Sequence, residues 1–324
     1  MFTRDHRCNH LERRDGTDNM SVHPRLSLNQ VTIKHADLRE AINTTVAAGI
    51  PSIGLWREPV AEVGLSTACD VIRDSGLRVS SLCRGGFFTA EDPQRFRESI
   101  EENRRAIDET AALARAGAPG SVPVLVLVPG GLPPGSTDII GARSRVRDAI
   151  GELAGYAADA EVVLAIEPLH PIYAADRSVI STLGQALDIA EEHPAAAVGV
   201  AVDAFHVWWD PEVLEQVARA GAQGRIASYQ VNDWITPLPP DTLLARGVMG
   251  AGHIDLAGLT AAVDDAGYRG DVEVEIFSKE LWDKPFADAT ALVVDSFSTV
   301  ALPAHALGGG PPPAGSQYRT GGAR

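Results

Sequence analysis

The stretch "EVVLAIEPLH", Glu161–His170, decides how the rest of the chain is read. Val162 to Ile166 is an unbroken apolar run that ends at a carboxylate, Glu167, with His170 three residues further on. A short run without polar alternation reads as a strand covered on both faces, as strands of a parallel sheet are. An acid at the C-terminal end of such a strand lies where parallel α/β folds carry their chemistry.

Working outward, the pattern repeats. Upstream lie "LSLNQVTI" (26–33), "PSIGLW" (51–56), "LRVSSLCRG" (77–85) and "VPVLVLVPG" (122–130); downstream lie "AVGVAVDAFH" (197–206), "RIASYQVNDW" (225–234) and "DVEVEIFS" (271–278). Helical periodicity fills the gaps: "DLREAINTTVAAG" (37–49), "GLSTACDVIRDSG" (64–76), a charged helix from Asp92 to Ala116, Ala142 to Ala158, "LGQALDIAEEH" (183–193), "PEVLEQVARAG" (211–221) and "DLAGLTAAVDDAG" (255–267). Gly49 and Gly117 act as stop signals. Eight strands alternating with helices over roughly 260 residues predict a single-domain α/β fold, a (β/α)8 TIM barrel, at 25–307. No glycine fingerprint for a dinucleotide follows the first strand. Residues 1–24 read as a flexible leader, with Met20 an alternative start to Met1. The Gly- and Pro-rich 308–324 read as a disordered tail.

The formal net charge of −15 argues against nucleic acid or an anionic membrane as partner. Cys8, Cys69 and Cys83 form neither a disulfide framework nor a thiolate metal motif, so a reduced cytoplasm is the simplest location. The N-terminus lacks the apolar core of a secretory signal, and no apolar run approaches the ~18 residues of a membrane helix.

The barrel frame explains the acid at the end of the opening stretch. Glu167, Asp203, Gln230 (with Asp233 close behind it) and Glu275 end strands five to eight. Three carboxylates converging on one barrel mouth repel one another, and a divalent cation offsets most of that charge. The four donors are all oxygen, a set that suits Mn²⁺ or Mg²⁺ better than Zn²⁺.

These elements resemble the xylose-isomerase-like superfamily of sugar isomerases and epimerases. "IEPL", the Asp-x-Phe-His of 203–206, "GAGHIDL" (250–256) and the glutamate of "VEVEIFS" carry the resemblance. It implies one divalent metal held by Glu167, Asp203, Gln230 and Glu275, with Gln230 standing where the family usually has histidine. It also implies that His206 holds substrate hydroxyls. The family's 3-epimerases use a second glutamate six residues after the first, and here that position is Tyr173, a neutral phenol. His170 is therefore the expected general base, with Glu275 as substitute.

"EPLH" with glutamine on strand seven is similar to the large subunit of bacterial C-glycoside deglycosidases. That similarity implies a keto-sugar or 3-oxo-glycoside substrate, β-elimination by a metal-dependent lyase, and a small partner subunit. Trp56, Arg57, Glu58 and Arg84, from "GLWREP" and "SLCRGGFF", would line the sugar pocket; Trp208 and Trp209 stack on a ring or cover the rim. A sugar isomerase or epimerase shares the first half of the reaction path. A three-metal phosphodiesterase on a related barrel conflicts with the acidic charge and with Gln230. A non-catalytic sugar-binding barrel would show no proton exchange into a keto-sugar.

Overall fold

The computed structural model describes residues 22–297. Eight parallel strands close into a barrel: β1 Leu26–Asn29, β2 Ser52–Trp56, β3 Arg78–Gly86, β4 Val124–Val128, β5 Val163–Ile166, β6 Val198–Asp203, β7 Ile226–Val231 and β8 Val272–Val274. Spatial order follows the chain, and β8 closes the ring on β1. The expected TIM barrel is thus present, strand for strand. The leader apart from 22–24, the tail, and 298–307 of the expected barrel domain lie outside the described residues.

Outside the barrel lie α1 Leu38–Ala47, α2 Arg57–Val63, α3 Leu65–Ser75, α4 Pro93–Ala116, α5 Ile139–Asp159, α6 Leu183–Ala190, α7 Ala204–Val207, α8 Val213–Ala222, α9 Leu256–Asp265, α10 Lys279–Trp282 and α11 Phe286–Ser296. Their starts follow capping chemistry. Asp37 accepts the Glu40 N–H while Glu40 accepts the Asp37 N–H, a capping box. Asp92 caps α4 with Pro93 in its first turn. None of these helices is long and apolar enough to cross a membrane.

Strand alternation divides the burial. Leu125, Leu127, Leu164, Ile166, Val200 and Val202 face outward into the main core with Ala149, Leu153 and Leu187 of the helices. Fully burying such a side chain is worth about 1.5–3 kcal/mol. The core therefore lies between strands and helices, which frees the barrel interior from that task. Inside, Val124, Ala165 and Ala201 form a small separate cluster. The side of the interior formed by β7, β8, β1 and β3 is polar instead, with Asn29, Ser80, Ser81, Gln230 and Glu273 all buried.

Two features differ from the sequence reading. The first strand stops at Asn29, not at Ile33, because the Asn29 side chain accepts the Val31 N–H at 3.0 Å and turns Gln30–Ile33 into a 3₁₀ helix. Beyond β7 the chain also forms an antiparallel ribbon, Asp233–Trp234 with Arg246–Gly247, that periodicity did not announce.

Candidate active site

Glu167 follows β5, Asp203 ends β6, Gln230 is in β7 and Glu275 follows β8, so the chain delivers all four expected donors to one mouth of the barrel. Asp203 and Gln230 are register partners. Glu167, Asp203 and His206 each bring a ligand atom within 4.8 Å of the others. That buried group is suited to hold a divalent metal; it includes His206, where the sequence reading placed only substrate contact, and it leaves out Glu275, which was expected as a ligand.

The hydrogen bonds show how far the charges are met. Asp203 Oδ1 accepts the Phe205 N–H (2.8 Å) and the Asn232 amide (3.2 Å). Glu275 Oε1 accepts the Asn29 amide at 3.2 Å. Glu167 is buried, yet no N–H or O–H among the described residues donates to its carboxylate. The Gln230 amide donates to Glu273 at 3.3 Å, while its oxygen is buried without a partner. An unmet carboxylate and an orphaned amide oxygen in one cluster fit a cation.

Sequence reasoning missed the buried cation of this cluster. Arg246 Nη1 reaches Asp203 Oδ2 at 2.9 Å and Glu275 Oε2 at 2.8 Å, and its guanidinium lies 4.8 Å from the ring centres of both Phe205 and Phe277. The ribbon delivers it. Asp233 accepts the backbone N–H groups of Gly250, Gly252 and Ile254, which folds "GAGHI" back and holds the strand carrying Arg246. No helical or strand periodicity marks such a residue. A buried arginine two-thirds along a loop has only its neighbours "MGAGHID" as signal. Glu273 was also missed. Its alternation with Glu275 in "VEVE" turns both acids, one in β8 and one just past its end, to the same side.

Burial dominates the electrostatics. It pushes the Glu167 carboxyl well above the usual range, helped by repulsion from Glu275 and Asp203. Asp203 is raised by burial as well. Glu275 is pushed up to about 8 by burial and by Asp203 and Glu273, against the pull of Arg246. Burial, then Arg246, holds His206 well below its ordinary value, so it is a neutral imidazole. Its Nδ1 lies 3.2 Å from the His170 backbone N–H and its Nε2 lies 3.0 Å from Arg246 Nη2. A neutral ring has one lone pair, so only one of these is a hydrogen bond at a time.

A cavity of about 150 Å³ opens over the cluster and is lined by Glu167, His206, Arg246 and Glu275 with Trp56 and Arg84. Arg84 stacks over Trp56 (5.4 Å) and Phe87 (5.2 Å). Arg57 does not line this cavity, because it is tied to α4 through Glu102 (2.8 Å) and Glu109 (2.6 Å). Nor does Glu58, which is mostly exposed. His170 is likewise not among the lining residues. Its Nδ1 accepts the Ile172 N–H at 3.2 Å, and its ring packs on Trp234 (4.8 Å) and Trp209 (5.5 Å). Trp208 packs on Trp234, and Trp209 donates its indole N–H to the His206 carbonyl, so both support the rim. Tyr173 is buried with its phenol pushed further up by desolvation, and stays protonated near neutral pH.

A closed (β/α)8 barrel with an acidic, oxygen-rich cluster at the C-terminal ends of its strands defines the class of protein. The chain belongs to the xylose isomerase-like TIM barrel family, whose model matches residues 44–296. No curated protein sequence matches it. Among solved structures it is similar to protein SMc04130 from Sinorhizobium meliloti 1021, with 44% identity, 86% of this chain and 98% of that chain covered, and a TM-score of 0.81. It shares its fold with IOLI protein with a binding zinc atom (21% identity, 86% and 98% covered, TM-score 0.71). The same holds for the 3-keto-D-glucoside 4-epimerase YcjR from E. coli (18% identity, 85% and 98% covered, TM-score 0.64).

Proposed function

We propose that this protein is a metal-dependent sugar isomerase or epimerase that moves a proton at the carbon next to a carbonyl. The observation that carries the proposal is the buried Glu167 carboxylate, which lines the cavity without a hydrogen-bond donor among the described residues. Glu167, Asp203, Gln230 and Glu275 would hold the ion together with His206; oxygen donors dominate this set, which favours Mn²⁺ or Mg²⁺. When bound, such an ion acts as a Lewis acid toward a carbonyl oxygen. The epimerase named among the structural relatives supports a sugar substrate.

The residues divide the work. Glu275 is a carboxylate that faces the cavity, and it is assigned the proton. Arg246 and His206 line the same floor and hold substrate oxygens. Trp56 and Arg84 form a wall that covers a sugar ring. His170 was the base expected from sequence; its engaged Nδ1 and its place outside the lining favour Glu275 instead.

Tyr173 keeps a second reading open. With a phenol where a second carboxylate would serve the opposite face of the sugar, a reaction needing one base fits too. Such a reaction is β-elimination from a 3-oxo-C-glycoside, possible only after a separate oxidation and with a small partner subunit as candidate helper. Incubation in D₂O with keto-sugars and with a 3-oxo-C-glucoside, each with Mn²⁺, Mg²⁺ or Zn²⁺, tests both. Deuterium entering the sugar without fragmentation supports isomerase or epimerase chemistry, and free aglycone supports elimination. No exchange and no aglycone under any metal overturns the enzyme reading.

A further inference from the structure

We infer that Glu273, one layer below the cluster, is a positioning residue that fixes the amide of Gln230 and, through Asn29, the carboxylate of Glu275 and the indole of Trp56; this rests on reading Gln230 as a metal ligand. Glu273 is buried at the register partner of Gln230 and makes no ion pair with an arginine or lysine among the described residues. Neutral groups meet it instead. Its Oε1 accepts the Asn29 amide (2.6 Å) and the Gln230 amide (3.3 Å); its Oε2 accepts the Ser80 and Ser81 hydroxyls (2.6 and 2.8 Å).

A carboxylate can only accept, so it dictates how both amides are turned. Gln230 must offer its N–H to Glu273, which leaves its oxygen pointing away, buried and unpartnered, as a ligand oxygen should be. Asn29 must do the same. Its N–H also reaches Glu275 at 3.2 Å, and its oxygen takes the Trp56 indole N–H at 2.7 Å. One carboxylate thus sets two ligands and a cavity wall.

The surroundings are shaped for it. The β2–β3 register slips between Ile53 and Gly54, so Val79 and Ser81 pair with them and Ser80 is the extra residue. That bulge lets two consecutive serines face the interior, where ordinary alternation would allow one. At Gly54 a Cβ would come within 2.5 Å of the Glu273 carboxyl, so only glycine leaves room. Fold stability alone does not call for this arrangement, since an apolar side chain of similar volume is often no less stable than a buried charge.

Glu273→Met and Glu273→Gln separate position from charge. Glutamine keeps an oxygen toward Asn29 and Gln230 while the serines switch to accepting; methionine keeps neither oxygen nor charge. Titration with Mn²⁺ and Zn²⁺ should show Glu273→Met weakened by about 10–100-fold, the usual cost of losing an outer-shell partner, and Glu273→Gln at least about tenfold tighter than Glu273→Met. Equal losses in both variants would assign Glu273 a charge role, and parental affinity in the methionine variant would assign it none; either overturns the inference.

The metal-free parent gives a test without any variant at position 273. The Gln230 side-chain NH₂ signals, assigned by their loss in Gln230→His, should be exchange-protected before metal is added. Unprotected signals overturn the inference even if Glu273→Met does not fold. The Trp56 indole N–H should shift in Glu273→Met and stay put in Glu273→Gln. A parent that binds neither ion while the amide is protected sinks the metal reading of the site and supports the orienting role.

Discussion

Glu273 in β8 and Glu275 just past its end lie two residues apart on the same side, and their surroundings differ in kind. Glu275 shares a guanidinium with Asp203, beside a carboxylate, Glu167, that nothing among the described residues donates to. Glu273 is met by four neutral donors. The upper layer is left short of positive charge and open to a cavity; the lower layer is saturated and closed. A charge that must exchange partners during a reaction needs the first arrangement. A charge that must stay put needs the second.

The sharpest way to break this contrast is at the upper layer. Glu275→Gln should lower turnover by about 10²–10⁴, the usual worth of a general base, while the folded state survives. Retention of more than about a tenth of the parental rate would move the proton to another group.

Arg246→Leu comes next. It leaves Asp203 and Glu275 buried without a cation, which costs about 3–5 kcal/mol when one partner of a buried ion pair is removed. The loss should appear in the thermal unfolding of the metal-free protein and shrink when Mn²⁺ is added. An unchanged Tm without metal would mean that the cluster is not held together by charge.

Legibility in the sequence follows the same division. The strands were readable because both faces of each are covered, so the sequence shows apolar runs such as "VLVLV". The four donors were readable because strand ends point to one mouth. Arg246 was not, because it is carried by a ribbon two residues long and held by Asp233 through backbone N–H groups, which leave no side-chain pattern. Glu273 was visible as an alternating acid, but alternation cannot tell the barrel interior from solvent. The role expected for His170 came from its proximity in sequence to Glu167; the cap it makes to Ile172 and its tryptophan neighbours depend on loops that only the folded chain brings together.

The upper layer should also respond to pH. Burial raises Glu167, Asp203 and Glu275, the last from 4.5 to about 8. The folded metal-free protein therefore holds protons that the unfolded chain releases, and its stability falls as pH rises from about 4.5 to 8. Divalent metal replaces those protons, so it should bind more tightly with rising pH and flatten the fall. Unfolding midpoints across that range, with and without Mn²⁺, check it; a metal-free midpoint that rises with pH would contradict the shortage of positive charge.

The smallest effect is expected at the residue that looked most chemical in the sequence. His170 caps Pro171–Tyr173, and its ring sits against Trp234 and Trp209 rather than in the cavity. Burial holds its pKa below the ordinary value, so it is largely neutral at pH 7. Replacing it by alanine removes a cap and aromatic contacts, each worth roughly 0.5–1.5 kcal/mol. His170→Ala should therefore lower the Tm by a few degrees and leave turnover within about a tenth to the whole of the parental rate, short of the 10² loss expected for a base. The backbone N–H of residue 170 that faces His206 is retained in the variant, so the cluster stays oriented. If instead His170→Ala lost 10² or more in turnover with metal content intact, while Glu275→Gln stayed active, the base would be the histidine. The proton would then leave from the rim of the barrel, and the unmet charge on its floor would serve only to hold the ion.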